Sequence, residues 1–292
     1  MHPGHTMQIP AAFRSGTAFP IRGVIRRGWT VGATQQERTV VAVTNTGVSG
    51  SVMTIIQLQT LSSVRSVKYT VVDTIPLLAS AASTGGPTSA RSMKYSLNVC
   101  NTTQALYRDG RVFSLVSSQR VVLPSAPSTM TAAQWDTFMD GLVAMPGTKP
   151  YAADVFSNGG RDFTGHIVDG SKYEEFGTFV GTDNLDNFWA HIAVWPSGPA
   201  DGTAVLRPMS TTFIVIEAPS ATAQQYEFSA SAAYYTRWPL TSVPGQSQTE
   251  IPTADLGALN GLQKMAEAAS NIAQNPLVGA AGDVLAKVAA MA

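Results

Sequence analysis

The chain has 292 residues, enough for one large core with an appendage. Apolar residues make up 44% of it and charged residues only 13%, so Ser, Thr, Gln and Gly, or neighbouring subunits, must cover much of the surface. Nineteen Lys plus Arg balance nineteen Asp plus Glu, which removes net charge as a source of long-range attraction to nucleic acid, and a lone cysteine, Cys100, excludes an internal disulfide or multi-cysteine metal site.

Residues 1–20 are rich in Gly, Pro and small polar residues and read as an N-terminal arm. The start lacks the charged-then-apolar pattern of a signal peptide, and no stretch is long enough for a membrane span, which favours synthesis in a cytosol. Arg14, Arg22, Arg26 and Arg27 all precede the first acid, Glu37, so positive charge is concentrated early.

Strand patterns follow. Ile21, Gly23, Ile25, Arg27, Trp29 and Val31 share one parity, and TVVAVTN within 38–45 and MTIIQLQ within 51–61 flank a turn at 46–50. Over 65–75, Val67, Tyr69, Val71 and Ile75 alternate with Lys68, Thr70, Val72 and Thr74, and Asp73 has the parity of the apolar set. Met93, Tyr95, Leu97 and Val99 alternate with Ser92, Lys94, Ser96 and Asn98, predicting one dry and one wet face. A further strand run spans 111–123.

Thr131 is placed to cap a helix whose stripe is Trp135, Phe138, Met139 and Leu142. Residues 151–186 are rich in Gly, Asp and aromatics and read as an acidic, loop-rich insertion. Strand signals return at 188–195, 204–217 and 224–235. At least eight β-rich runs without helix–strand repetition predict an all-β antiparallel sandwich or barrel over 21–236. Residues 237–253 read as a linker, and 254–292 as an amphipathic helical tail carrying Leu256, Leu259, Leu262 and Met265, suited to partner packing or to transient membrane contact.

No G-x-S-x-G, P-loop, dinucleotide fingerprint or H-E-x-x-H motif occurs. His166 lies near Asp169, but a triad requires convergence in space, and a structural reading of both His166 and His191 is the simpler one. Asp154, Asp162 and Asp183 are candidates for calcium at a subunit contact, against ordinary solvation of turns. Arg22, Arg26 and Arg27 are candidates for phosphate contact, or for pairing with acids of a neighbouring subunit. Asn101-Thr102-Thr103 is a glycosylation sequon that reads more simply as a turn.

Lys94 to Phe113, KYSLNVCNTTQALYRDGRVF, resembles the strand, N-x-T/S turn and G-x-V strand of capsid proteins of small icosahedral viruses with noda- and tombus-like jelly rolls. The resemblance implies an eight-stranded antiparallel jelly-roll sandwich with a C-terminal amphipathic helical tail. It implies a structural subunit that self-assembles in many copies into a virion shell in the host cell, around a viral nucleic acid expected as RNA, with DNA left open as the alternative. The short supply of basic residues in the arm departs from relatives with long Arg/Lys-rich arms. Related capsids release a tail peptide by self-cleavage at an Asn-containing junction; Asn260–Gly261 resembles one, with Asp73 as the proton-handling acid. An uncleaved packing helix is the simpler reading. The alternative function is a β-sandwich carbohydrate-binding protein using Trp189, Trp195, Tyr173 and Phe176 as a sugar platform.

Overall fold

The computed structural model describes residues 17–79, 86–170, 173, 175–181, 184–196, 198, 208–217, 222–238 and 249–250. Thr17–Thr249 forms one compact unit. The tail at 254–292 and most of the linker lie outside the described residues.

The strands are β1 (Thr17–Val31), β2 (Arg38–Val43), β3 (Ser51–Leu61), β4 (Val64–Thr74), β5 (Ser89–Asn101), β6 (Arg111–Ser117) and β7 (Val121–Val122). They continue as β8 (Lys149–Ala152), β9 (Arg161–Thr164), β10 (Gly177–Thr178), β11 (Ala193–Val194), β12 (Thr211–Glu217) and β13 (Gln224–Arg237). Short helices are α1 (Pro76–Ala79), α2 (Ala132–Ala144) and α3 (Leu185–Ile192).

Four antiparallel pairs are nested in chain order: β1 with β13, β2 with β12, β5 with β9, and β6 with β8. The first strand of the roll therefore meets the last, the second meets the second-last, and so on inward, as when one long hairpin is rolled up. One sheet has the order β1-β13-β5, with β9 and β10 both paired to β5; the other runs β4-β3-β2-β12-β6-β8. This eight-stranded, two-sheet connectivity is a jelly roll, with β3 and β4 as an added hairpin beyond β2.

The two sheets close over a core of Val41, Val43, Ile55, Tyr95, Leu97, Ile214, Ile216, Phe228 and Tyr234, among others. A second core lies on the opposite face of the β2–β12 sheet, where Val40, Ala42, Phe213 and Val215 meet Trp135, Phe138, Met139 and Leu142 of α2 and Phe188, Trp189 and Ile192 of α3. Strands dry on both faces lose their alternation, which is why 40–43 and 213–216 are unbroken apolar runs.

α2 begins at a capping box, with Thr131 accepting from the Gln134 backbone and the Gln134 side chain returning to the Thr131 backbone. It is clamped by charge as well. Arg38 reaches Asp140 at 2.7 Å, Asp136 at 3.2 Å and Glu217 at 2.8 Å, and Arg65 meets Asp136 at 2.7 Å.

Two expectations are corrected. The strand expected at 188–195 is mostly helix: Asn184 caps the Asn187 amide at 2.8 Å, and Leu185, Phe188, Trp189 and Ile192 recur at helical spacing over the sheet. The section expected as an insertion at 151–186 instead helps build the roll, since β8 overlaps its start and β9 lies inside it. Phe163 of β9 points into the core between exposed Asp162 and Thr164.

Candidate nucleic-acid interface

β1 sorts its three arginines by parity. Ile21, Gly23, Ile25, Arg27, Trp29 and Val31 lie on the core side, and Gly23 is required there because a Cβ would stand 2.3 Å from a methyl of Ile75. Arg22, Val24, Arg26, Gly28 and Thr30 are exposed on the opposite face. Two of the three predicted arginines thus share an outward face, and Arg27 is turned away.

The strand register extends that face across the sheet. Arg22 lies opposite Ala233, which lies opposite Lys94; Val24 leads to Ser231, Ser96 and Thr164; Arg26 leads to Ser229, Asn98 and Asp162. The floor between the cations is therefore made of small uncharged residues, with Ser96 and Ser231 hydroxyls joined at 2.8 Å. At about 3.3 Å per residue and about 4.8 Å per strand, Arg22 stands roughly 13 Å from Arg26 and roughly 10 Å from Lys94 along the backbone grid. Lys94 is shifted below its ordinary value, first by burial and then by the positive charge of Arg22. Arg26 has no hydrogen bond or ion pair among the described residues.

Lys94 owes its position to the other sheet. The β5–β13 register slips between Ala233 and Tyr234, so Ala233 faces Lys94 while Tyr234 faces Ser92. Such an irregularity frees backbone groups that a buried site must satisfy. The buried Asn45 amide does so, donating to the carbonyls of Ala233 at 2.9 Å and Lys94 at 3.1 Å, while its own carbonyl oxygen accepts from the Gly47 amide at 3.1 Å. Lys94 and Asn45 were not singled out in the sequence; the alternation over 92–99 put Lys94 on a wet face, but its juxtaposition with Arg22 depends on β13 lying between them.

Arg27 serves a different end. Its Nε donates to Asp73 Oδ2 at 2.7 Å and its Nη2 to Oδ1, tying β1 to β4 across the sandwich. The hydrogen bond raises the guanidinium above its ordinary value against the opposing effect of burial. Nearby, Trp29 meets Tyr69 edge-on at 5.8 Å, and Lys68 pairs with the buried Glu37. Asp73, proposed as an acid for tail cleavage, is thus held by Arg27, and Asn260 lies outside the described residues.

The remaining candidates disperse. Asp154 sits in a short turn after β8, Asp162 accepts from Asn98 at 2.8 Å on β9, and Asp183 lies outside the described residues. Among the described residues no three His, Cys, Asp or Glu side chains gather as metal ligands. His166 meets Ser118 at 2.8 Å on an exposed surface. Asn101 of the sequon is buried, donating to Ala153 and Gln224 and accepting from the Thr103 amide, so it closes a turn as expected. Of the aromatics considered for sugar, Trp189 is wholly inside the helix-facing core, Tyr173 donates to the Met93 carbonyl, and Phe176 is stacked by Arg237 at 3.9 Å.

No protein-family model matches the chain, and no curated protein matches it. Its structure is similar to solved structures of viral proteins. That of infectious bursal disease virus, Gt strain, is 8% identical with TM-score 0.44, covering 90% of this chain and 92% of that one. Cocksfoot mottle virus matches at 10% identity and TM-score 0.38, over 78% and 87%, and mud crab tombus-like virus at 8% and 0.32, over 78% and 86%.

Proposed function

We propose that the chain is a structural subunit of an icosahedral viral capsid, assembling in many copies into a virion shell around a genome and contacting that genome through Arg22 and Arg26. The observation that carries this reading is a jelly roll with apolar side chains exposed on several separate elements. Leu61 and Val64 stand at the β3–β4 hairpin tip, Leu106 (92% exposed) and Tyr107 between β5 and β6, and Val122 and Val194 on the β7–β11 pair. A subunit surrounded by neighbours buries such sites on several sides, and few charges resist close approach. A sugar-binding sandwich needs one aromatic platform, and burial of Trp189 removes a member of the one considered.

Assembly in the host cell, calcium at contacts between copies through Asp154, Asp162 and Asp183, and cleavage at Asn260 belong to the same reading as further proposals. Electron microscopy of the purified full chain over a range of salt concentrations tests the central claim. Uniform closed particles are expected; material that stays monomeric under every condition overturns it.

A further inference from the structure

We infer that the floor bounded by Arg22, Arg26 and Lys94 is a track for one extended single-stranded polynucleotide, bound through phosphates without regard to base sequence, with Asn45 as its positioning residue. The inference rests on the shell reading only for where the strand comes from; the site is argued from the sheet itself.

Three cations on three corners of one sheet face stand around small residues, Ala233, Ser231, Ser229 and Ser96, so a ligand backbone can lie close to the strands. Two of the cations are held near enough that Arg22 disfavours the charge on Lys94, a cost that a phosphate lying between them reverses. The protein nonetheless fixes this proximity, through the Asn45 amide that pins both Ala233 and Lys94. Val24, 46% exposed midway between Arg22 and Arg26, favours a single strand over a duplex. A duplex offers this apolar side chain only charged backbone, whereas a single strand can turn an unstacked base onto it. The floor serines offer hydroxyl donors to phosphate or sugar, which set position and not sequence, whereas the Asn98 amide is already spent on Gly159 and Asp162.

The test is fluorescence anisotropy with a labelled 20-nucleotide uridine strand and the full chain, from 50 to 200 mM salt. Three phosphate contacts predict a slope of about −2 in log affinity against log salt, or a roughly twentyfold loss across that range. The combined variant Arg22→Gln, Arg26→Gln, Lys94→Gln is expected to bind at least tenfold more weakly and to lose that slope, and Asn45→Ala to weaken binding with all three cations present. Arg27→Gln is expected to bind within twofold of the unaltered chain once its folding is verified by circular dichroism. Unchanged binding by the folded triple variant overturns the site. Equal affinity for a duplex of the same length, or stronger binding of heparin than of the uridine strand, overturns the ligand. Electron microscopy of the same samples separates the two readings: absence of shells from the unaltered chain defeats the capsid assignment whatever the anisotropy, and shells with unaltered binding by the triple variant defeat only the track.

Discussion

Replacing Arg27 by Gln leaves the Asp73 carboxylate, whose side chain is 8% exposed, without its bidentate partner. Because Arg27 itself is 38% exposed, the loss is discounted for solvent screening, to about 1–3 kcal/mol. Arg22→Gln and Arg26→Gln on the outer face are expected to change stability by no more than about 0.5 kcal/mol. Urea unfolding of the three single variants checks this, and equal midpoints would remove the structural role assigned to Arg27. Asp136 carries a pH dependence. Burial raises its carboxyl, but hydrogen bonds from Arg65 and Arg38 and their charges outweigh burial and hold it below its ordinary value. A group depressed in the folded state stabilises above its unfolded value of about 4 and loses that contribution as pH falls through its folded value. The urea midpoint of the unaltered chain is expected to drop more steeply below pH 4 than that of Asp136→Asn; parallel curves would count against this ion pair.

At the scale of elements, α2 is the part most dependent on local signals. Thr131→Ala removes one side of the capping box and is expected to cost about 1 kcal/mol, read as a lower urea midpoint with unchanged circular dichroism. The tight turn before β9 is more demanding. Gly160 has a positive φ of 78°, and a Cβ there would lie 2.5 Å from the Val99 carbonyl oxygen. Gly160→Ala must therefore move backbone and is expected to lower stability by about 1–3 kcal/mol, more than the cap does. The order of the two midpoints is the measurement, and a smaller effect at Gly160 would show that β9 yields easily. The helix α3 illustrates why an apolar octet is ambiguous: FWAHIAVW suits a strand by composition, and only its cap at Asn184 and the stripe from Leu185 to Ile192 select a helix.

For the whole molecule, metal and assembly are linked. Since no described set of three ligands converges within one copy, calcium removal is expected to leave the melting temperature of the unassembled subunit unchanged. If carboxylates meet across copies, the same chelation swells assembled particles, measured by light scattering and by calcium content. A shifted melting temperature in unassembled protein would place the metal inside one chain instead. Alternation, turn residues and capping signals are local, so the sequence by itself determined the all-β class, the strands at 38–45, 51–61 and 92–99, and the helix beginning after Thr131. It also carried the parity that sets Arg27 apart from Arg22 and Arg26. Tertiary structure alone decided which strands became neighbours: that β13 lies between β1 and β5, bringing Arg22 to Lys94, and that β4 brings Asp73 to Arg27. The physical reason is that alternation fixes which way a side chain faces, whereas the order of strands in a sheet is fixed by long-range burial that closes two cores at once.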